Sequence, residues 1–536
     1  MMRSVRVLVL VVAVATAGLI SSPASAATRA KPFDIDGDGK RELVVGAPGE
    51  DVKGRRAAGQ VHIVYTNRRG LTHRDELLHA TNPAQRAFYG AALTSGDFDR
   101  DGFADLAVGA WREADEEGRV HLAYGSAGGV NRNRTPAPLI GTTNKPTEIT
   151  GPGENRFGAS LAVGDFNSDG FDDLAAGAPN GNGAVYVWYG GRRGIRGPSQ
   201  EWSADVDGMN GELFGSEADM FGSALAPGDI DGDGHDDLVI GAMRSGSAEG
   251  AMFVMYGSGT GLTIEGSQKV TQDTPGIKDH SESREVSTGE DVGDRFGASL
   301  AVGDFDSDGR DDVAVGAPAE SYAENAATDG ALHVIYGTRS GLGRRDQLFT
   351  QFDKGLELPR RHVASMFGMA VAAGDLDGDG DDDLAIGGPR GSSEDHNFRG
   401  TGFVVVVRGS GKGLTRVGDG FLSQDTPGVA GHGEADVYSG DYFGESLAVR
   451  NLGRGRAADL IVGTPGEDLG SAKEAGAVHV FWGGKDAVNG KRSRLWSEDW
   501  TGMKDEAERS DGSARVSGTW RLLGYDARDR PRPPPE

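Results

Sequence analysis

The chain has 536 residues, with 81 acidic side chains against 55 basic ones, a formal charge of −26 and no cysteine. That acidity excludes a nucleic-acid surface, which needs a basic patch against phosphate, and the missing cysteine excludes disulfide staples. Length alone predicts three or four domains, but the 87 glycines recur at fixed places, and a repeat overrides that prior.

The first segment reads "MMRSVRVLVLVVAVATAGLISSPASAA". A basic start, an apolar run and Ala-Ser-Ala predict a secretory signal over residues 1–26, cut after Ala26. The protein is therefore expected outside the cell. The apolar run is too short to predict a stable membrane anchor, and Arg3 and Arg6 are not adjacent as twin-arginine export would require.

"DIDGDGKRE" follows at Asp34. Its acids stand at places one, three, five and nine (Asp34, Asp36, Asp38, Glu42), with Gly39 sixth. Alternate residues of a tight loop point at one centre, and a sixth-place glycine permits the turn. Four hard oxygens plus a backbone carbonyl suit Ca²⁺. The spacing returns as Asp97, Asp99, Asp101 and Asp105, and then as Asp165, Asn167, Asp169 and Asp173. Asp229, Asp231, Asp233 and Asp237 come next, followed by Asp304, Asp306, Asp308 and Asp312, and by Asp375, Asp377, Asp379 and Asp383. An EF-hand would need Glu at place twelve and flanking helices. Place twelve is Val45, Val108, Ala176, Ile240, Val315 or Ile386, and the flanks are rich in β-branched residues and glycine. A seventh copy at Asn451 carries Gly453 and Gly455 at places three and five, so no metal is expected there.

Successive loops start 63 to 76 residues apart, room for a four-stranded sheet. Each unit offers an aromatic-Gly strand ("RFGASLAVGDF" at Arg156 and Arg295), the acidic loop, a "DLAVGAP"-like strand, and an alternating strand such as "GALHVIYG" at Gly330. A weaker fourth strand ends in turns such as "TQDTPGI" at Thr271. His62, His121, His333 and His479 share one place in the third strand with Tyr186 and Phe253, so they read as packing residues. The predicted fold is all-β: a seven-bladed β-propeller of four-stranded antiparallel blades over residues 27–526. Blades start near 34, 89, 157, 221, 296, 367 and 443. A linear solenoid would need atypical caps at both ends. A ring is favoured because the first unit lacks its aromatic-Gly strand, which 513–526 is expected to supply. Residues 527–536 are expected to be a disordered tail.

These units resemble FG-GAP repeats, the building block of the integrin α-subunit propeller. Phe157-Gly158, the Asp165 loop and Gly177–Pro179 carry the resemblance. It implies that the loop joins the first two strands of a blade and binds calcium through places one, three, five and nine. It adds the place-seven carbonyls of Lys40, Phe103, Phe171, His235, Arg310 and Asp381. Departures are Glu42, Asn167, Tyr89 in place of Phe, and the Asn451 loop. Six intact loops, and hence six Ca²⁺, resemble bacterial members more than integrins.

If the metal loops join strands one and two, the long two-to-three and four-to-one connections share the opposite face. Variable loops on a rigid scaffold carry binding, so Trp111, Tyr322, His396, Phe398 and Tyr438 are the candidate partner residues. The expected function is that of a secreted, monomeric, calcium-stabilised module that binds an extracellular protein or glycan in adhesion. The alternative is an extracellular hydrolase of esterase or phospholipase type with its site on that face. Phospholipases that carry this propeller place the catalytic domain before it, and only seven residues separate Ala26 from Asp34. No catalytic residue is assigned.

Overall fold

The structure, a computed structural model, describes residues 29–497 except 114–116, 132–138, 141–155, 181–182, 196–199, 204–218, 246–248, 281–282, 286–290, 323–327, 355, 357–363, 392–399, 434–439, 470–473 and 487. The signal, the expected closing segment 513–526 and the tail lie outside the described residues.

Seven antiparallel sheets follow one another along the chain, each with its strands in sequence order. Blade 5 shows the pattern, with Ser299–Gly303 innermost, then Asp312–Ala317, Ala331–Thr338 and Gly341–Thr350. The innermost strands of blades 2, 3, 4, 6 and 7 begin at Ala92, Ser160, Phe221, Ala370 and Ser446. Blade 1 has three strands among the described residues, Leu43–Ala47, Gln60–Asn67 and Gly70–Leu78, and so starts at the second strand of the pattern. A two-stranded ribbon, Ser283–Glu285 with Asp291–Gly293, precedes blade 5. Among the described residues, helix is confined to a single 3₁₀ turn, Gly490–Arg492, and to Ser245.

The second strands, such as "DLAVGA" at Asp105, are buried at every residue. A short unbroken apolar run bounded by turns marks a strand covered on both faces, and here the covers are the neighbouring sheets. The core is accordingly divided into layers between blades. Blades 5 and 6, for example, share Leu332, Val334, Phe367, Ile386 and Val405. Such layers join every consecutive pair. A seventh layer packs Leu43, Val45 and Val64 of blade 1 against Ile461, Val480 and Trp482 of blade 7. Arg454 adds a hydrogen bond from its Nε to the Arg69 carbonyl at 2.8 Å. The circle therefore closes, and the linear rod is excluded.

The glycines of the motif are contact points between blades. The amide of Gly158 donates to the Gly177 carbonyl of its own blade at 2.9 Å. Its carbonyl presses on the preceding blade, where a Cβ on Gly109 would sit 2.1 Å from it. Gly118, at φ +84°, would place a Cβ 2.2 Å from the Phe157 carbonyl. Only a residue without a side chain permits that approach and that dihedral.

The histidines behave as the repeat predicts. His333 sits edge-on to Phe296, and His479 to Phe443, with centroids 5.5 and 5.2 Å apart. Tyr186 and Phe253 meet Phe157 and Phe221 in the same way. Burial holds the His479 pKa down at about 3, so this ring is neutral.

Candidate metal centres

Each acidic loop joins the first and second strands of its blade, or leads into the second strand in blade 1. Its shape comes from side chains that cap nearby amides. In the Asp97 loop, Asp97 accepts from the amides of Asp101 and Gly102 at 3.0 and 3.1 Å, and Asp101 accepts from Phe103 at 3.1 Å. The Asp229 and Asp304 loops repeat this arrangement.

Place nine has a second duty. Asp105 accepts from the amide of Phe98 at place two and from Gly125 at the end of the third strand, at 3.1 and 3.0 Å. Asp173, Asp237, Asp312 and Asp383 do the same. So does Asp459 in the acid-poor loop of blade 7. That explains why the ninth-place acid survives where the third and fifth are lost.

In five loops three carboxylate oxygens lie within 4.8 Å of one another. The groups are Asp34–Asp36–Glu42, Asp97–Asp99–Asp105, Asp229–Asp231–Asp237, Asp304–Asp306–Asp308 and Asp375–Asp377–Asp383. Four groups therefore use places one, three and nine; their place-five acids Asp38, Asp101, Asp233 and Asp379 lie outside the triads. Blade 5 uses place five instead of nine. The oxygens fit a hard cation: Asp34 Oδ1, Asp36 Oδ1, Glu42 Oε1 and Asp306 Oδ1 are buried without a hydrogen-bond partner. Such atoms are strongly disfavoured unless something binds them. Burial, as the largest effect, raises the carboxyls to about 6 at Asp34, about 7 at Asp383, and about 8 at Glu42, Asp237 and Asp312. A divalent cation would reverse that shift by favouring the carboxylate.

Like-charge repulsion in two of these loops is softened by guanidinium groups on the outer strands. Arg74 holds Asp36 Oδ2 at 2.9 Å, and Arg345 holds Asp306 Oδ2 at 2.6 Å. Both arginines also lie on tyrosine rings, Tyr65 and Tyr336. Each takes the outward oxygen and leaves Oδ1 for the centre.

The Asp165 loop differs. Its carboxylates do not draw together as the other triads do. The Asn167 amide donates to Asp169 Oδ2 at 3.2 Å, and Arg29 reaches Asp165 Oδ2 at 3.7 Å and also pairs with Asp172. In the blade 7 loop, the Asn451 amide donates to the carbonyls of Gly455 and Arg456 at 2.9 Å. That loop is held by its own groups. The place-seven residues Lys40, Phe103, Phe171, His235, Arg310 and Asp381 all donate their amides to place five.

Place eight escaped the sequence reading. Asp172 Oδ2 accepts the amide of Asp97, place one of the preceding blade, at 2.6 Å. Asp236, Asp311 and Asp382 cap Asp165, Asp229 and Asp304 likewise. The same residues return their own amides to the place-one carbonyls. A second aspartate beside the ninth was the available signal.

On the opposite face the candidate partner residues divide. Trp111 is a correction: it is 3% exposed, stacked on Phe88 at 5.3 Å and covered by Arg156, so it packs and does not project. Tyr322 is the one exposed large hydrophobic side chain among the described residues, at 38%. Its hydroxyl donates to Asp279 Oδ2 at 2.7 Å, which ties a two-to-three loop to a four-to-one connection. His396, Phe398 and Tyr438 lie outside the described residues. Gln272, in the "TQDTPGI" turn, donates to Glu320 of the next blade at 2.8 Å, another link that sequence alone concealed.

Seven closed blades, six of them with an acidic loop, define a β-propeller with candidate cation loops. Residues 33–64, 89–122, 157–188, 221–260, 296–335 and 367–407 match the FG-GAP repeat. The chain is an FG-GAP-repeat protein with an integrin-α-like propeller. It is 32% identical to integrin alpha pat-2 of Caenorhabditis briggsae over 236 residues, which are 40% of this chain and 18% of that protein. It is 34% identical to integrin alpha-4 of Xenopus laevis over 214 residues, 39% of this chain and 18% of the relative. A third relative, phosphatidylinositol-glycan-specific phospholipase D of Mus musculus, is 36% identical over 163 residues, 28% of this chain and 18% of its own length. The chain thus spans under a fifth of each of these relatives. The matched segments are the six units with acidic loops and leave out blade 7. Among the described residues no helix is long and apolar enough to cross a membrane.

Proposed function

We propose that the protein is a secreted, calcium-stabilised propeller that binds an extracellular protein or glycan through the face opposite its metal loops. The observation that carries the calcium reading is the convergence of Asp34, Asp36 and Glu42 with one unpartnered buried oxygen from each. Calcium supplies the positive charge at which those oxygens aim, and hard oxygen donors in irregular loops are its preferred setting. The chain's own residues do the rest. Place one and place nine lock the loop to the blade, and the arginines turn one oxygen inward. The five triads carry the reading most strongly; the Asp165 loop, with Asn167 and Arg29, is proposed as the weakest site, and the Asn451 loop as a non-site.

Partner binding is supported by the long connections on the far face and by Tyr322 exposed between two of them. A glycan array and an extracellular-protein pull-down, run with wild type and Tyr322→Ala, test it. Signal that vanishes in the variant upholds the reading; equal signal from both removes Tyr322 from the binding face. Esterase and phosphodiesterase assays on the same preparation test the hydrolase alternative.

A further inference from the structure

The junction between blades 7 and 1 reverses the charge found at four other junctions. Place eight is an aspartate in blades 3 to 6, where it caps the place-one amide of the preceding blade. In blade 1 that place is Arg41, and the facing place one is Asn451. Places three and five of the facing loop are Gly453 and Gly455, which removes two further acids. A cavity of about 240 Å³ results, lined by Lys31, Lys40, Arg41, Asn451 and the glycines at 39, 453 and 455.

Two of the cations are held over this cavity. Lys31 Nζ donates to the Gly39 carbonyl at 3.1 Å, and Lys40 Nζ to Asp38 Oδ2 at 2.6 Å. The Arg41 guanidinium has no hydrogen-bond or ion-pair partner among the described residues; Asp34 attracts it from a distance. A second arginine, Arg450, stands behind it over the Phe33 ring at 3.5 Å, near enough for the two to repel. A half-buried guanidinium offers five donors in a planar fork that matches oxyanions. A chain of charge −26 does not gather four cations at one junction through its bulk composition.

We propose that this cavity is an oxyanion site: a sulfate or a carboxylate, free or carried on a sugar, sits where four other junctions place an eighth-place aspartate. Arg41 is its principal donor, with Lys31 and Lys40 at the rim. The inference does not depend on the acidic loops being loaded.

Isothermal titration with sodium sulfate, against sodium chloride at matched ionic strength, tests it on the full secreted chain. Wild type is expected to show one saturable sulfate site and no chloride heat. Arg41→Asp installs the residue that four other junctions carry and is expected to abolish sulfate binding. Lys31→Ala, at an exposed position, is expected to weaken it about threefold or more while leaving the fold intact, so a misfolded Arg41 variant does not leave the question open. A sulfated or uronic disaccharide that binds at least tenfold tighter than sulfate, with the same Arg41 dependence, assigns a sugar-borne anion; equal affinity assigns the free anion, and either upholds the site. No saturable sulfate heat in wild type, or equal heat in wild type, Arg41→Asp and Lys31→Ala, overturns it.

Discussion

Stripping divalent ions at pH 7.5 tests the five carboxylate triads together. Extracellular calcium modules bind at roughly 10⁻⁴ to 10⁻³ M. At about 5 mM calcium each occupied site then stabilises the fold by about 1 to 2.3 kcal/mol through mass action. Five sites sum to about 5–12 kcal/mol. Unfolding entropy near 2.1 cal/mol/K per residue over roughly 450 residues converts this to a fall in Tm of about 5–12 °C. The assay is calorimetric unfolding in calcium and in chelator at equal ionic strength. The pH dependence adds a second, independent reading. Without ions, Glu42, Asp173, Asp237 and Asp312 titrate near 8 in the fold, because burial disfavours their charge. The folded state then holds more protons than the unfolded state between pH 4 and 8. That contribution is complete below pH 4 and is lost as pH rises through 8. Calcium requires the deprotonated carboxylates, so the gap between the two Tm curves should widen from pH 5 to 8. A gap under about 1 °C, or one that does not change with pH, refutes the reasoning.

A terbium or calcium titration should resolve five strong sites and a weaker one at the Asp165 loop, and Asp36→Ala should remove one strong site; an unchanged count would contradict the blade 1 triad. Asp236→Ala strands the Asp165 amide, which it now accepts at 2.7 Å, and should destabilise by about 1–3 kcal/mol in urea unfolding; no change would deny the place-eight cap. Gly118→Ala forces a Cβ against the Phe157 carbonyl at positive φ and should destabilise by about 2–4 kcal/mol; a neutral result would mean that the blades can slide apart. Deletion of 498–536 should lower Tm by several degrees if 513–526 supplies the inner strand of blade 1; a truncated protein as stable as wild type would rule that closure out.

The repeat made most of the architecture legible. Place twelve of each loop, such as Val315 and Ile386, is apolar because it packs in a layer between blades, in register with His333 and Val405 of the third strand. Period and pattern both report that register. The candidate ligand places stood out as carboxylates at a fixed spacing, and the structure draws five sets of them into triads. What stayed hidden is contact across the sequence gap. Nothing near Asp172 announces that it caps Asp97, 75 residues away, nor near Arg74 that it reaches Asp36, 38 residues away. Trp111 failed for the converse reason: it lies on a loop in sequence, yet the Phe88 ring and Arg156 from other segments close over it.

The place-eight caps run without a break from blade 2 to blade 6 and stop on either side, where Ala104 and Ala458 keep only the main-chain bond. Each capped residue is also a proposed ligand, so neighbouring candidate sites in that arc share a lever. Nearest-neighbour coupling weakens any member whose neighbour is empty. On dilution, vacancy should therefore spread as fronts from the flanks and from the weak Asp165 loop, with the Asp229 loop surrendering its charge last.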